Sequence, residues 1–206
     1  EGNYYYQTED QFIRYKFLNE CHLSHPTAII RTKIIRDRNL KMTILHGEDY
    51  DYFLRIAEYS KMANLPKVLL HYRQLESSMS KANSGITYDN SNLIKLELFH
   101  KLDETFVVDD VILFGELANQ NYAVLIDSID KIESIILRML EGNSKNNIYQ
   151  KDLFTNYITD LWFGLLSQPK VNRTKFNKVL FSDINKFRNM NLTYKLKVAT
   201  KLLLPL

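Results

Sequence analysis

The sequence has little of several features that would assign a protein class at once. It contains one cysteine, Cys21, so no disulfide can form within the chain, which suits a reducing compartment. No apolar run is long enough to span a bilayer, and no secretory signal peptide is recognisable. We also find no internal repeat and no low-complexity tract, which argues against a repeat architecture.

Charge of one sign is also scarce, except at the C-terminal end. The net charge of the 206 residues is only +3, too small by itself to indicate nucleic-acid binding. From residue 170 onward, however, the sequence contains many basic residues and a single acidic one, Asp183. This basic tail (170–206) is either a solvated helix face or a surface for anionic lipid. No nucleic-acid-binding motif accompanies it, so we expect no nucleic-acid partner.

What the sequence does contain is typical of a folded protein. Hydrophobic residues make up 45% and charged residues 25%, and the 13 Tyr and 11 Phe favour packed amphipathic helices. The length suits one domain or one and a half. The chain opens at Glu1 without an initiator Met, from which we expect a fragment or a processed chain.

Residues 1–85 are predicted to mix helices and strands. Thr8 is a candidate cap for a first helix, and an acidic cluster at 47–51 is predicted to begin another helix over 48–60. The predicted strands cover 26–31 and 67–73, and a short helix is expected over 32–37. Because two strands do not form a stable sheet in water, they would pair with residues outside this chain or with a partner molecule.

Residues 86–206 are predicted to be helical throughout. Asn, Gly, Ser and Pro separate helices near 90–104, 108–118, 121–141, 150–167, 172–187 and 191–203. Gly142 is expected to end the third of these. The predicted fold class is therefore α+β, mostly α, with a helical C-terminal domain over 86–206.

The acidic cluster at the start of the predicted 48–60 helix has two readings. Glu48, Asp49 and Asp51 are explained as capping residues, because exposed amides and the macrodipole stabilise acids at a helix N-terminus. Alternatively, one of the carboxylates is a general base at the mouth of a site. The flanking sequence bears on this choice.

Three landmarks flank or contain the cluster. They read HPTAIIR (25–31), GEDYDYFLRIA (47–57) and LPKVLLHYR (65–73), the last followed by Ser78 and Ser80. In this order and spacing they resemble the C-terminal half of the catalytic domain of a family 2 glycosyltransferase of GT-A type. The resemblance covers about a third of the chain, and it implies that residues 1–85 are a truncated GT-A-like α/β segment.

The resemblance implies roles for particular residues. Asp49 falls on the family's catalytic base, and Glu48 on an orienting or acceptor-side partner. His25, Arg73 and Ser78 fall on substrate-binding positions, whereas the family's His after Tyr-Arg is replaced by Leu75. Asp51 is expected to point away from Asp49 and to pair with Arg55.

The family's nucleotide-binding half, with its Asp-x-Asp metal motif, is not visible in this chain. A divalent metal, Mn²⁺ or Mg²⁺, is therefore expected to have its ligands mostly outside residues 1–206. The histidines share no metal-ligand spacing, and we assign no metal ligand within the chain.

Two functions follow as expectations. The first is a fragment of an inverting glycosyltransferase that uses a nucleotide-sugar donor and a glycan or lipid-linked acceptor in cell-envelope polysaccharide synthesis. Its expected location is the cytoplasm, at the inner face of the membrane. The alternative is a helical protein- or membrane-interaction module without catalytic activity. As it stands, the 206-residue chain is expected to be inactive, because the donor-binding half is missing.

Overall fold

A computed structural model describes residues 6–71, 73, 83–167 and 173–187. The chain divides into two compact units, Glu1–Leu98 and Phe99–Leu206. The boundary lies within one long helix, so that helix contributes residues to both units.

The first unit is built from short helices around an aromatic core. They are α1 (Asp10–Lys16), α2 (Thr32–Asp37), α3 (Glu48–Ala57) and the first part of α4 (Ser84–Leu102). One cluster of buried side chains in this unit comes from α1, α3, α4 and the segments that follow α1 and α3: Ile13, Phe17, Tyr50, Tyr52, Phe53, Ile56, Ala57, Met62 and Ile94. The tyrosine at position 50 also donates its hydroxyl to the backbone oxygen of Phe17.

Arg14 holds α1 against the end of α3. Its guanidinium pairs with Asp10 at 2.8 Å and donates to the carbonyl oxygens of Ala57 and Ser60 at 2.8 and 2.9 Å. These two carbonyls lie at the C-terminal end of α3, where helical partners run out. One side chain thus neutralises an acid and completes the end of a helix.

The second unit is an assembly of helices with a continuous apolar interior. Its helices are α5 (Val108–Ala118), α6 (Tyr122–Leu125), α7 (Ile129–Asn146), α8 (Lys151–Gly164) and α9 (Arg173–Phe181). Phe99 packs edge-to-face on both Phe106 and Phe114, and Trp162 is fully buried with its ring N–H donated to the carbonyl of Val179. Such aromatic contacts contribute beyond their buried area.

The predicted role of Gly142 is wrong. This glycine lies inside α7, which continues to Asn146 and ends at Asn147 in a left-handed conformation. A Cβ built on Gly142 would lie 2.3 Å from the backbone oxygen of Leu102. The glycine is there because another backbone passes against the helix, and not because the helix stops.

The predicted α+β class is also wrong, because the described residues contain no strand and no sheet. The first predicted strand (26–31) overlaps a 3-10 turn, His25–Thr27, and its later residues make only local backbone bonds: Ala28 donates to the carbonyl of His25, and the carbonyl of Arg31 accepts from Ile34. The second (67–73) is irregular where it is described, at 67–71 and 73. Both have strand-like composition, but a ladder needs a neighbouring strand, and none lies beside them among these residues.

Most predicted helices are confirmed, with boundaries shifted by a few residues. Segment 32–37 matches α2, 108–118 matches α5, and 48–60 corresponds to α3. The predicted 121–141 helix is divided by the 3-10 turn Ile126–Ser128, and the predicted 191–203 helix lies outside the described residues. In the part of the chain that the structure describes, no helix combines the length and hydropathy needed to cross a bilayer.

Candidate functional site

The candidate site is the turn that leads into α3. His46 and Gly47 both have positive φ, 61° and 113°, and Gly47 is the N-cap residue. The backbone oxygen of Gly47 accepts from the N–H of Asp51 at 3.2 Å, which begins the helix. This left-handed entry places Glu48 and Asp49 in the first turn, where the exposed amide ends favour carboxylates.

The acids of this turn differ in what they contact. Glu48 folds back, and its Oε2 accepts from the backbone N–H of Gly47 at 3.0 Å. Asp51 pairs with Arg55, whose Nε lies 3.0 Å from Oδ2 and which also donates to the carbonyl of Lys41. The pairing of Asp51 with Arg55 is confirmed.

Asp49 has no basic partner among the described residues. Its Oδ1 accepts from the N–H of Tyr50 at 2.8 Å, and its side chain is half-buried. No ion pair within the described part of the chain involves Asp49, whereas Asp51 is paired with Arg55. A carboxylate without a cationic partner is a candidate general base.

The segment of Cys21 to His25 lies along the Asp49 face of α3. The ring of His25 packs edge-to-face on Phe53, with 6.2 Å between centroids, and Phe53 is one helical turn beyond Asp49. The pKa of the Cys21 thiol is raised to about 12, mainly by burial and in smaller part by the nearby charges of Asp49 and Glu20. The structure therefore packs the ring of His25 against Phe53 of α3, and the substrate role of His25 stays a prediction.

The other substrate-binding residues expected from the sequence are not joined to this turn. Arg73 is exposed, and no described hydrogen bond or ion pair connects it with Asp49. Ser78 lies outside the described residues. The substrate roles of Arg73 and Ser78 therefore stay predictions.

The described part of the chain contains no cluster of side chains suited to bind a metal ion. No three His, Cys, Asp or Glu side chains among these residues lie close enough together to hold an ion. The residues around Asp49 thus do not fit the expected Mn²⁺ or Mg²⁺. That expectation concerned ligands outside this chain, and it stays a prediction.

Sequence reasoning missed the contribution of α4 to this region. The side-chain amide of Asn90 donates to the carbonyl oxygens of Leu45 and His46, and Asn92 and Lys95 are buried on the same helix. Lys95 donates to Asn92 at 3.3 Å, and burial lowers its pKa, while the charge of Glu20 raises it in part. The available signal was the polar run DNSN at 89–92 inside a helical segment.

Several lysines of the predicted basic tail already have acidic partners in the second unit. Lys175 pairs with Asp127 at 2.7 Å, and Lys178 pairs with Asp130 and lies 3.7 Å from Glu133. Lys186 pairs with Asp183 in the next turn. These pairs do not test the expected lipid contact of the basic tail, and residues 188–206 lie outside the described part of the chain.

Comparison with known proteins adds no relative. No protein-family model, no curated protein and no solved structure matches this chain.

Proposed function

We propose that this chain is part of a glycosyltransferase that moves a sugar from a nucleotide-sugar donor to a glycan or lipid-linked acceptor. One observation carries the proposal. Asp49, which the sequence motif marks as the base, is an opening acid of α3 with no basic partner among the described residues, and its Oδ1 accepts the N–H of Tyr50. The neighbouring Asp51 is occupied by Arg55.

The chemistry assigned to Asp49 is proton removal. As the acceptor hydroxyl oxygen attacks the anomeric carbon, the bond from that carbon to the donor diphosphate breaks on the opposite face, and the carboxylate takes the hydroxyl proton. In-line attack inverts the configuration at that carbon. His25, on the same face of α3, is positioned to contact the acceptor.

Glu48 supports this base from the backbone side. By accepting the N–H of Gly47, it closes the turn around the N-terminus of α3. A divalent metal, when bound by residues outside this chain, supplies charge for the leaving diphosphate. No step assigned to these residues depends on it.

The proposed location is the cytoplasm, at the inner membrane face, where lipid-linked acceptors are extended. The absence of a membrane-crossing helix among the described residues is compatible with this but does not select it. The basic tail (170–206) is the proposed lipid-facing part.

The test compares two aspartates that lie two residues apart in the first turn of α3, in the full-length protein that contains residues 1–206. We expect Asp49→Asn to lower the turnover number by about 10²–10⁴-fold, the usual contribution of a general base, and to leave donor affinity unchanged. The measurement is release of the nucleoside diphosphate, with donor binding followed by calorimetry.

Asp51→Asn is the matched control, because it removes a carboxylate from the same turn but only breaks the pair with Arg55. We expect its turnover number to fall by less than about fivefold, as for a surface ion pair. Unchanged turnover in Asp49→Asn would refute the proposed function. Detectable transfer by the 206-residue chain alone would contradict the expectation that donor-binding residues lie outside it.

A further inference from the structure

We propose that Asn90, on α4, is the positioning residue for Asp49. Its side chain holds the left-handed turn that sets where α3 begins. This inference rests on the proposed function of Asp49, but Asn90 lies outside the three sequence landmarks. The structure alone connects Asn90 with the turn.

The turn needs an external support. His46 has a side chain and a φ of 61°, and Gly47 follows at 113°. Left-handed conformations cost free energy for a residue with a Cβ, and they persist where surrounding contacts hold them. Glycine adopts positive φ freely, so the cost of this bend falls on His46, and contacts around the bend help to hold it.

Asn90 supplies that support with one amide group. Its Nδ2 donates to the carbonyl oxygen of Leu45 at 2.8 Å and to that of His46 at 2.9 Å. An asparagine amide has two N–H donors, so both are used on successive carbonyls of the same bend. The contact joins segments more than forty residues apart in sequence.

Packing adds to these hydrogen bonds. A Cβ built on Gly47 would lie 3.5 Å from Cδ1 of Ile94 and 3.7 Å from Cβ of Asn90. The bend therefore lies directly on one face of α4, with Asn90 and Ile94 one helical turn apart beneath it. Helix α4 acts as a rigid platform for the entry to α3.

The support reaches Asp49 through two backbone groups. Gly47 donates its N–H to Glu48 and accepts from the N–H of Asp51, so the residues on both sides of Asp49 are tied to the glycine. Asn90 holds the peptide just before that glycine. A base displaced by about 1 Å can lose about 100-fold in rate, so loosening the bend is expected to lower turnover without contact between Asn90 and substrate.

The test uses Asn90→Ala, which removes both donors, and Asn90→Asp, which places oxygen atoms against two carbonyl oxygens. Ser91→Ala is the matched control, since its hydroxyl bonds only to the carbonyl of Tyr88 within α4. The first readout is amide hydrogen exchange of residues 46–51 in the 206-residue chain. We expect about tenfold faster exchange in both Asn90 variants and no change in the control.

Exchange in α7 (Ile129–Asn146) serves as the internal reference. If amide exchange becomes faster at residues 46–51 and stays unchanged in α7, the effect is local to the bend and supports the proposal. If both speed up equally, Asn90 only contributes to general stability, and the proposal is wrong. Unchanged exchange at 46–51 also overturns it.

The second readout is the kinetics of the full-length protein. We expect Asn90→Ala to lower kcat by about 10- to 100-fold and to leave the donor KM unchanged, because a displaced base affects the chemical step. If Asp49→Asn abolishes transfer and Asn90→Ala changes neither exchange nor kcat, the positioning role fails and the proposed function stands. If Asn90→Ala loosens the bend but Asp49→Asn transfers sugar normally, the proposed function fails instead.

Discussion

The two units of this protein treat their large apolar side chains differently. In the second unit, few are exposed: Val107, Val124, Ile148 and Phe181. In the first unit many are exposed, and most belong to segments without regular structure: Ile29, Met42, Leu45, Tyr59, Leu65, Val68, Leu69, Leu70, Ile86, Tyr88 and Leu93. Ile29 is 99% exposed and Leu65 68%. The second unit completes its core with its own residues, and the first does not.

The difference follows from where helices and strands find partners for their backbone hydrogen bonds. The helices of the second unit satisfy their backbone groups internally and need only an apolar stripe to pack. The segments predicted as strands, 26–31 and 67–73, would satisfy theirs by pairing with other strands, and the described residues contain none. Four of the exposed side chains lie close together in sequence, Leu65, Val68, Leu69 and Leu70, and we expect other polypeptide to cover this segment.

Gly142→Ala adds a methyl group where two backbones approach closely in the second unit, and we expect the largest effect on stability there. The added methyl group would meet the backbone oxygen of Leu102, which cannot move without moving its helix. We expect the free energy of unfolding of the second unit to fall by about 3 kcal/mol, as for overpacking against backbone. Urea unfolding followed by tryptophan fluorescence measures this, because Trp162 is in the second unit.

Gly85→Ala makes the same chemical change where no atom lies within 4 Å. We expect the free energy of unfolding to be unchanged or to rise by about 0.5 kcal/mol, since alanine favours helix. Equal losses in the two variants would show that the contact of Gly142 with Leu102 does not limit packing.

Helix positions were largely predictable from sequence, because the information is local. The apolar spacing of α3 and the acidic first turns of α3 and α5 lie within a few residues of the start of each helix. The predicted strands failed because a strand depends on a partner that no local pattern reveals. Gly142 was misread for a related reason, since only the structure shows Leu102 against it.

The candidate site was predictable to a similar degree. The helix that begins at Glu48 followed from its apolar pattern and the Asp51–Arg55 pair from helical spacing, whereas the roles of Asp49 and His25 stay predictions. Asn90 could not be found in this way, because its role depends on a bend more than forty residues away. A hydrogen bond from a side chain to a distant backbone carbonyl has no sequence signature.

The dependence of stability on alkaline pH probes the buried part of the first unit, and we expect a smaller change in the free energy of unfolding than for Gly142→Ala. Burial raises the pKa of Cys21 from 9.0 to about 12. The unfolded chain therefore loses this proton above pH 9 while the folded chain keeps it. Stability present below pH 9 is thus lost as the pH rises toward 12, by at most about 1.4 kcal/mol per pH unit.

Cys21→Ala isolates this effect. We expect the difference in free energy of unfolding between wild type and variant to be constant from pH 6 to 8 and to shrink from pH 9 to 10. The lowered pKa of Lys95 acts in the opposite direction, but it is present in both proteins and cancels. A pH-independent difference up to pH 10 would mean that water reaches the Cys21 side chain.

Amide hydrogen exchange of the wild-type 206-residue chain tests most directly the claim that the first unit is incomplete within this chain. We compare the amides of Val68–Leu70 with those of Ile132–Leu140 in α7. The account predicts that the former exchange within about tenfold of an unstructured peptide, while the latter are slowed by about 10³ or more. Protection of Val68–Leu70 equal to that of α7 would show that this chain covers the segment itself, and it would contradict the account.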